Sequence, residues 1–210
     1  MLTFDEIVAA RRSTRSFKPD VPPQAEIEHI LRAGLLGPYA GAAHSLGDMG
    51  FRRFVVIRRD TSPMAHADAL ITARATELLA ELSARLTADP AQREASQGWV
   101  KRLELISRNG LLIAGGVPWY VVVAEARGIP PVEQETLAHC LENMWLQATA
   151  LGLGFRLLSI TSMLGDDPAF CSLLGLRPGA YGLNGCALGY PEHPLPPATR
   201  PDVSEVTRWL

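Results

Sequence analysis

Cysteine is scarce and scattered in this chain of 210 residues. The three cysteines, Cys140, Cys171 and Cys186, lie far apart, and none belongs to a Cys-x-x-Cys pair that would form a redox dithiol or a zinc knuckle. Each of them stands in an apolar stretch of sequence. This pattern predicts buried, reduced thiols and a cytoplasmic location.

Long apolar runs and an excess of basic residues are also missing. No stretch of about 18 apolar residues is free of charge, glycine or proline, which argues against a membrane span, and the acidic first residues do not resemble a signal peptide. Lysine and arginine number 20 against 22 aspartates and glutamates, and this net charge of -2 disfavours nucleic acid as a partner. With 47% hydrophobic residues, however, the chain can bury a sizeable core.

The spacing of apolar residues predicts helices and strands that alternate along the chain. Thr3 and Glu6 form a capping-box pattern for a first helix that buries Phe4, Ile7 and Val8. Because pairs of long helices separate the strands, the order favours a mixed α+β layer over a doubly wound sheet. Further helices are predicted from about residue 23 to 37, over 63–89, around 99–106, over 131–151 and after 166; strands are predicted over 54–57, 118–124, 155–160 and 181–189.

A basic cluster follows the first predicted helix and reads Arg11-Arg12-Ser13-Thr14-Arg15. Each guanidinium group offers a forked set of donors and stays charged, so the cluster suits a phosphate group. The alternative is a solvated helix end, because cations also stabilise a helix C-terminus through its dipole. The residues alone leave both interpretations open.

The cluster is the first of four segments that together resemble the FMN-dependent nitroreductase family. They occur in the family's order and cover nearly the whole chain. The segments are Arg-Arg-Ser-x-Arg-x-Phe at 11–17; Asn-Met at 143–144 with Ala-Leu-Gly-Leu-Gly at 150–154; Leu-Leu-Gly-Leu-Arg-Pro-Gly at 173–179 with Ala-Leu-Gly-Tyr-Pro at 187–191; and a proline-rich arm with Arg200 and Trp209.

The resemblance implies an α+β fold in which a mixed sheet is wrapped by helices, and a homodimer with FMN at two interface sites. It implies one domain over residues 1–189, with a proline-rich arm, residues 190–210, belonging to the same domain. No catalytic side chain and no metal ligand is implied, since a flavin supplies the redox chemistry itself.

The resemblance also implies which residues hold the FMN. Those expected at the phosphate and ribityl chain are Arg11, Arg12, Ser13 and Arg15, with Arg200 closing on the phosphate from the arm. Those expected over the flavin ring near N5 are Leu158, Ser159 and Ile160. Pro38 and the backbone of Tyr39 and Ala40 are expected to pack on the ring.

One loop departs from the family's pattern Pro-Ser-x-x-Asn-x-Gln-Pro-Trp. Residues 38–46 read Pro-Tyr-Ala-Gly-Ala-Ala-His-Ser-Leu, so that Ala42 stands at the asparagine position and His44 at the glutamine position. A side-chain contact to the flavin is therefore lost or replaced in this loop.

The function that the resemblance implies is an FMN-dependent oxidoreductase. It would take hydride from NAD(P)H and pass electrons to a small oxidised acceptor such as a nitroaromatic or a quinone. One alternative is a specialised flavin enzyme of the same fold, either a reductive dehalogenase or a flavin-consuming enzyme. Another is a non-catalytic homologue that binds flavin as a ligand or binds none. The 63–110 segment, expected to form the pocket lid, is the least family-like part and leaves the acceptor undetermined.

Overall fold

The structure is a computed structural model that describes residues 2–39, 49–87, 90–196 and 198–210. Four strands form an antiparallel sheet in the order β1-β2-β4-β3. The strands β2 and β4 are therefore central, and β1 and β3 lie at the edges. The strand bounds are β1 Arg52–Arg58, β2 Trp119–Ala126, β3 Gly154–Leu157 and β4 Tyr181–Gly189.

Helices cover both faces of this sheet. Their bounds are α1 Phe4–Ala10, α2 Gln24–Leu35, α3 Ser62–Thr87, α4 Pro90–Asn109, α5 Glu133–Ala150, α6 Pro168–Leu174 and α7 Val203–Val206, and short 3₁₀ helices occupy Met49–Phe51 and Ser159–Leu164. None of these helices, within the residues that the structure describes, is long and apolar enough to cross a membrane. The α+β fold expected from the sequence is confirmed, although the four strands pair only in the antiparallel sense.

Strand β2 separates two apolar cores. Tyr120 and Val122 point into a core shared with α3, α4 and α6, whereas Val121 and Val123 point into a core shared with α2 and α5. Successive side chains of a strand alternate between the two faces of a sheet. The consecutive valines therefore reflect a strand that is buried on both sides.

The third strand is shorter than the predicted segment 155–160. It ends at Leu157, and the chain turns into a 3₁₀ helix from Ser159 to Leu164. A buried hydrogen bond of 2.7 Å between the hydroxyls of Thr161 and Tyr120 joins this 3₁₀ helix to β2. Gly185 of β4 permits this approach, because a Cβ at this position would collide with the Thr161 side chain.

Helix α1 has the predicted capping box of Thr3 and Glu6, but its apolar side chains are not buried. Phe4 is 69% exposed and Val8 is also exposed, while Ile7 is only partly buried. The prediction that Phe4, Ile7 and Val8 are buried is therefore wrong for the single chain. The helix packs against α5, and the side carrying Phe4 and Val8 is left uncovered.

The proline-rich arm begins alongside the segment after α1. Pro191 forms a β-bridge with Phe17, and the Glu192 amide donates to the Ser16 carbonyl at 3.1 Å. Farther along, residues 199–210 are exposed, including the short helix α7 with its capping box of Asp202 and Glu205. The arm is thus anchored at its start, and its end carries exposed apolar side chains.

Candidate functional site

Residues 13–17 run along the edge strand β3 and the end of β4. Ser13 forms a parallel bridge with Phe155, and the Thr14 amide donates to the Phe155 carbonyl at 2.9 Å. Gly154 is required at this crossing, because a Cβ there would lie 2.5 Å from the Thr14 hydroxyl oxygen. The glycine that ends the Ala-Leu-Gly-Leu-Gly motif therefore brings the basic cluster onto the sheet.

Arg11 and the backbone of Arg12 lie against helix α5. Arg11 Nε lies 3.0 Å from a carboxylate oxygen of Glu142, and its guanidinium carbon lies 4.4 Å from the centre of the Trp145 ring. The carbonyl of Arg12 accepts a hydrogen bond of 3.3 Å from the Trp145 indole. Arg11 is therefore a paired cation in this chain.

Ser13 and Arg15 line a cleft of about 400 Å³ on the side of the chain that carries α4. An adjoining cleft of about 230 Å³, which extends toward the end of α4, also contains Arg15. Two further arginines line both clefts: Arg102 of α4 and Arg156 of β3. Trp99 and Leu157 supply the apolar part of the larger cleft.

The electrostatics of these clefts are dominated by positive charge. Arg156 is only 8% exposed, and its guanidinium makes no hydrogen bond or ion pair with any residue that the structure describes. Burial lowers the pKa of Arg102, and the positive charge of Arg15 lowers that pKa further. Arg15 and Arg102 are thus close enough to repel each other, and Arg156 lines the same two clefts.

The predicted segment of Leu158, Ser159 and Ile160 lies next to the larger cleft. Leu158 and Ile160 are buried, and the Leu158 amide donates to the Gly185 carbonyl at 2.7 Å. Ser159 between them is exposed. Since Leu157 lines the cleft, Ser159 opens the 3₁₀ helix close to the rim of the cleft.

Pro38 and Tyr39 follow the end of α2, and both are exposed. The Tyr39 ring stacks on Phe51 with a distance of 4.1 Å between ring centres. Arg52 holds the preceding turn, because its Nη1 donates to the carbonyls of Gly34 at 2.6 Å and Gly37 at 3.1 Å. The predicted residue Ala40 and the divergent positions Ala42, His44, Ser45 and Leu46 lie outside the described residues.

Arg200 does not meet the other predicted residues within this chain. It lies exposed in the arm, and its guanidinium donates to the Thr199 carbonyl at 3.0 Å. Of the predicted cluster, the structure therefore brings Ser13 and Arg15 to the cleft, leaves Arg11 beside α5, and leaves Arg200 apart.

Sequence reasoning missed Arg102 and Arg156. A signal for Arg156 was present, because a lone charge stands in the apolar run Gly154-Phe155-Arg156-Leu157-Leu158. Arg102 lies three residues after Trp99, so the two side chains share a helix face. Neither signal indicates that the two arginines meet, because they belong to elements far apart in the sequence.

Residues 8–190 match the model of the nitroreductase family, and no curated protein matches. A nitroreductase with bound FMN from Bacteroides fragilis superposes with a TM-score of 0.70 at 20% identity, with 100% of each chain covered.

Two further solved structures have similar folds. An FMN- and NADPH-dependent nitroreductase, NfnB, from Sphigopyxis sp. has a TM-score of 0.70 at 20% identity, covering 100% of this chain and 99% of that one. An iodotyrosine deiodinase bound to FMN and 3-iodo-L-tyrosine has a TM-score of 0.69 at 16% identity, with 99% of each chain covered.

Proposed function

Because the chain belongs to the nitroreductase family, we propose that it is an oxidoreductase that binds FMN and works as a homodimer. The observation that carries the proposal is the cleft itself. Within the matched residues, Ser13 and Arg15 of the basic cluster meet strand β3 at one cleft. This cleft combines hydrogen-bond donors with an apolar wall.

The residues of the cleft fit the chemistry of FMN. The nucleotide carries a dianionic phosphate, and guanidinium groups that are free of carboxylates are good partners for it. Its ring is flat and largely apolar, which suits a wall that contains Trp99 and Leu157. The donor set and the apolar wall thus match the two halves of the cofactor.

Each group of residues has a separate task in this proposal. Ser13 and Arg15 hold and orient the nucleotide, and Arg11 and Arg12 line the approach from α5. The segment of Leu158, Ser159 and Ile160 borders the ring, and its backbone is held in place by the bond from Leu158 to Gly185. When bound, FMN supplies the hydride and electron-transfer chemistry.

A second copy of the chain is part of the proposal because several apolar side chains are uncovered. Phe4 and Val8 of α1, Leu36 after α2, and Trp209 in the arm are all exposed. An apolar surface of this kind commonly marks a protein interface. A two-fold partner would cover α1 and would receive the arm, including Arg200.

NAD(P)H is the proposed electron donor, and a nitroaromatic or a quinone is the proposed acceptor. The similarity to an enzyme described as FMN- and NADPH-dependent supports this donor. Reductive dehalogenation is the second candidate, and the similarity to an iodotyrosine deiodinase favours it. Both candidates need FMN in the same cleft.

The test begins with the absorption spectrum of the purified protein, where the visible bands of oxidised flavin are expected. NADH and NADPH are then added separately without oxygen, and bleaching of these bands identifies the donor. Reoxidation by a nitroaromatic, a quinone or an iodinated phenol ranks the acceptors. A protein that contains no flavin and does not bind added FMN would contradict the proposal.

A further inference from the structure

The loop that follows α4, residues 110–116, separates two open spaces. Four of its residues line the smaller cleft, the one of about 230 Å³, namely Gly110, Leu111, Ala114 and Gly115. The other three line a separate cavity of about 370 Å³, namely Leu112, Ile113 and Gly116. Because open space lies on both sides of the 110–116 loop, packing alone does not fix its position.

Asp68 of α3 holds the start of this loop. Its buried carboxylate accepts hydrogen bonds from the amides of Leu111 and Leu112 at 2.8 and 2.6 Å, and both bonds reach the same oxygen, Oδ1. Gly110 permits this approach, because its φ is +79° and a Cβ there would lie 2.6 Å from Oδ2 of Asp68. Leu111 and Leu112 are themselves buried, so the loss of Asp68 would leave two buried amides without an acceptor.

Arg59, which directly follows β1, holds the end of the loop. Its Nη2 donates to the carbonyl of Gly116, and its Nη1 donates to the carbonyl of Pro19 at 2.8 Å. Gly116 closes the turn within the loop, since its amide donates to the Ile113 carbonyl at 2.9 Å. The 110–116 loop is thus tied at both ends by side chains from other parts of the chain.

We propose that Asp68 is a positioning residue, which fixes the 110–116 loop beside the cleft and thereby sets the affinity for the flavin nucleotide. The inference rests on the proposed function. The amides of Ala114 and Gly115, two residues that line the smaller cleft, make no hydrogen bond with any residue that the structure describes. These two donors are available to an acceptor oxygen of a bound nucleotide only while the loop is held in place.

The substitution Asp68→Asn separates this geometric role from an effect of charge. Since one oxygen of Asp68 accepts both hydrogen bonds, the side-chain oxygen of asparagine can accept them as well. The loss of a negative charge behind a cleft lined by arginines cannot weaken an anionic ligand. Asp68→Asn should therefore keep the affinity for FMN within about threefold of the wild type, whereas Asp68→Leu, which has no acceptor, should weaken it by about tenfold or more.

Two measurements on the full-length protein test these expectations. Fluorescence titration compares FMN with riboflavin, and Asp68→Leu should weaken both flavins alike because the 110–116 loop carries no charged side chain. Hydrogen exchange of the flavin-free protein reports on the loop directly. The amides of Leu111 and Leu112 should exchange faster in Asp68→Leu and should stay protected in Asp68→Asn.

Asp167→Leu is the matched control. The Asp167 carboxylate accepts a hydrogen bond of 2.7 Å from the Phe170 amide at the start of α6, and Asp167 lines neither cleft. Its loss should lower the melting temperature but leave the affinities for both flavins unchanged. If Asp167→Leu weakened FMN as much as Asp68→Leu, general destabilisation would explain the effect and the inference would be overturned.

The other end of the loop keeps the test decisive if Asp68→Leu fails to fold. Arg59 is only partly buried, and Arg59→Met frees the Gly116 carbonyl, so it should weaken both flavins by about threefold to tenfold. Arg58→Met removes an equal charge from the neighbouring residue, which is exposed, and should change neither affinity. Equal effects of Arg58→Met and Arg59→Met would contradict the anchoring of the loop.

The outcomes distinguish this inference from the proposed function. If the wild-type protein binds neither flavin, the proposed function falls, while faster exchange in Asp68→Leu would still show that Asp68 anchors the loop. If the wild type binds FMN and Asp68→Leu changes neither the exchange nor the affinity, the positioning role alone is overturned. An Asp68→Asn variant as weak as Asp68→Leu would also overturn it, because the acceptor oxygen is then not what matters.

Discussion

Arg52 and Glu125 form an ion pair inside the protein, with 2.5 Å between Arg52 Nη2 and a carboxylate oxygen and with both side chains 1% exposed. The Thr136 hydroxyl donates to the second oxygen of Glu125. Arg52 also donates to the carbonyls of Gly34 and Gly37 at the end of α2. One buried pair therefore ties β1 and β2 to α5 and to the turn that leads into the 38–46 loop.

Arg52→Met should destabilise the fold strongly, because it leaves the Glu125 carboxylate buried without its cation. Breaking such a pair costs about 3–5 kcal/mol in the free energy of unfolding. The double variant Arg52→Met/Glu125→Leu should cost less than the sum of its single variants, since no charge then remains buried. Urea unfolding of the three variants measures both quantities.

Arg127→Met is the control for this prediction. Arg127 pairs with Asp166 at 3.2 Å, but both side chains are well exposed, so the loss should be about 0–1 kcal/mol. Equal losses for Arg52→Met and Arg127→Met would show that the Arg52–Glu125 pair has no special part in stability.

The cysteines should be unreactive in the folded protein. Burial raises the pKa of the Cys140 thiol to about 12 and raises the pKa of Cys186 well above its ordinary value. Burial also raises the pKa of Cys171, and the nearby carboxylates of Asp167 and Asp166 add to this effect. Because the thiolate is the reactive form, a disulfide reagent at about pH 8 should label no cysteine before denaturant is added. Rapid labelling of the native protein would contradict this prediction.

The raised pKa of Cys140 predicts that the free energy of unfolding falls in alkali. The thiol of Cys140 has an ordinary pKa of 9.0 in the unfolded chain and a pKa of about 12 in the folded one. The unfolded state therefore releases its proton first, so this contribution to stability is complete below about pH 9 and falls as the pH rises through about 12. In urea unfolding from pH 8 to pH 11, Cys140→Ala should show a shallower decline than the wild type. If the free energy of unfolding declined equally steeply in Cys140→Ala and in the wild type, the loss would come from other titratable groups.

The sequence predicts the strands better than it predicts which residues line the cleft. The run from Tyr120 to Ala124 is apolar throughout because both faces of β2 are buried, and that signal is local. The family resemblance was likewise carried by local motifs, and the match over residues 8–190 confirms it. The convergence of Arg102 with Arg156 could not be predicted, because it depends on how α4 packs beside β3.

Helix α1 shows a second limit of sequence reasoning. Its spacing correctly placed Phe4 and Val8 on the same helix, and the capping box formed as predicted. The pattern does not distinguish a face covered by the chain itself from one covered by a second copy. The end of β3 at Leu157 was missed for a similar reason, since the bond between Thr161 and Tyr120 is a contact between distant segments.

A homodimer should be detected by light scattering as twice the mass of the chain at micromolar concentration. Phe4→Asp should shift the equilibrium toward monomer, because it places a charge in the uncovered face of α1. Ile129→Asp is the control, since Ile129 is also an exposed apolar residue but lies outside α1 and the arm. A monomer mass for the wild-type protein would rule out the proposed interface.

Arg200 provides the test of the arm. Its side chain is exposed and makes no ion pair with a described residue, so its loss should leave the unfolding of the flavin-free protein unchanged. If it closes on the phosphate of FMN from the arm of a partner, Arg200→Gln should weaken FMN by about tenfold to a hundredfold and riboflavin hardly at all. Arg208→Gln, an equal loss of charge in the same exposed arm, is the matched control and should change neither affinity. Fluorescence titration with both flavins measures the difference. If Arg200→Gln weakened the binding of FMN and of riboflavin equally, the arm would shape the cleft without binding the phosphate. If Arg208→Gln weakened FMN binding as much as Arg200→Gln, only the net charge of the arm would matter.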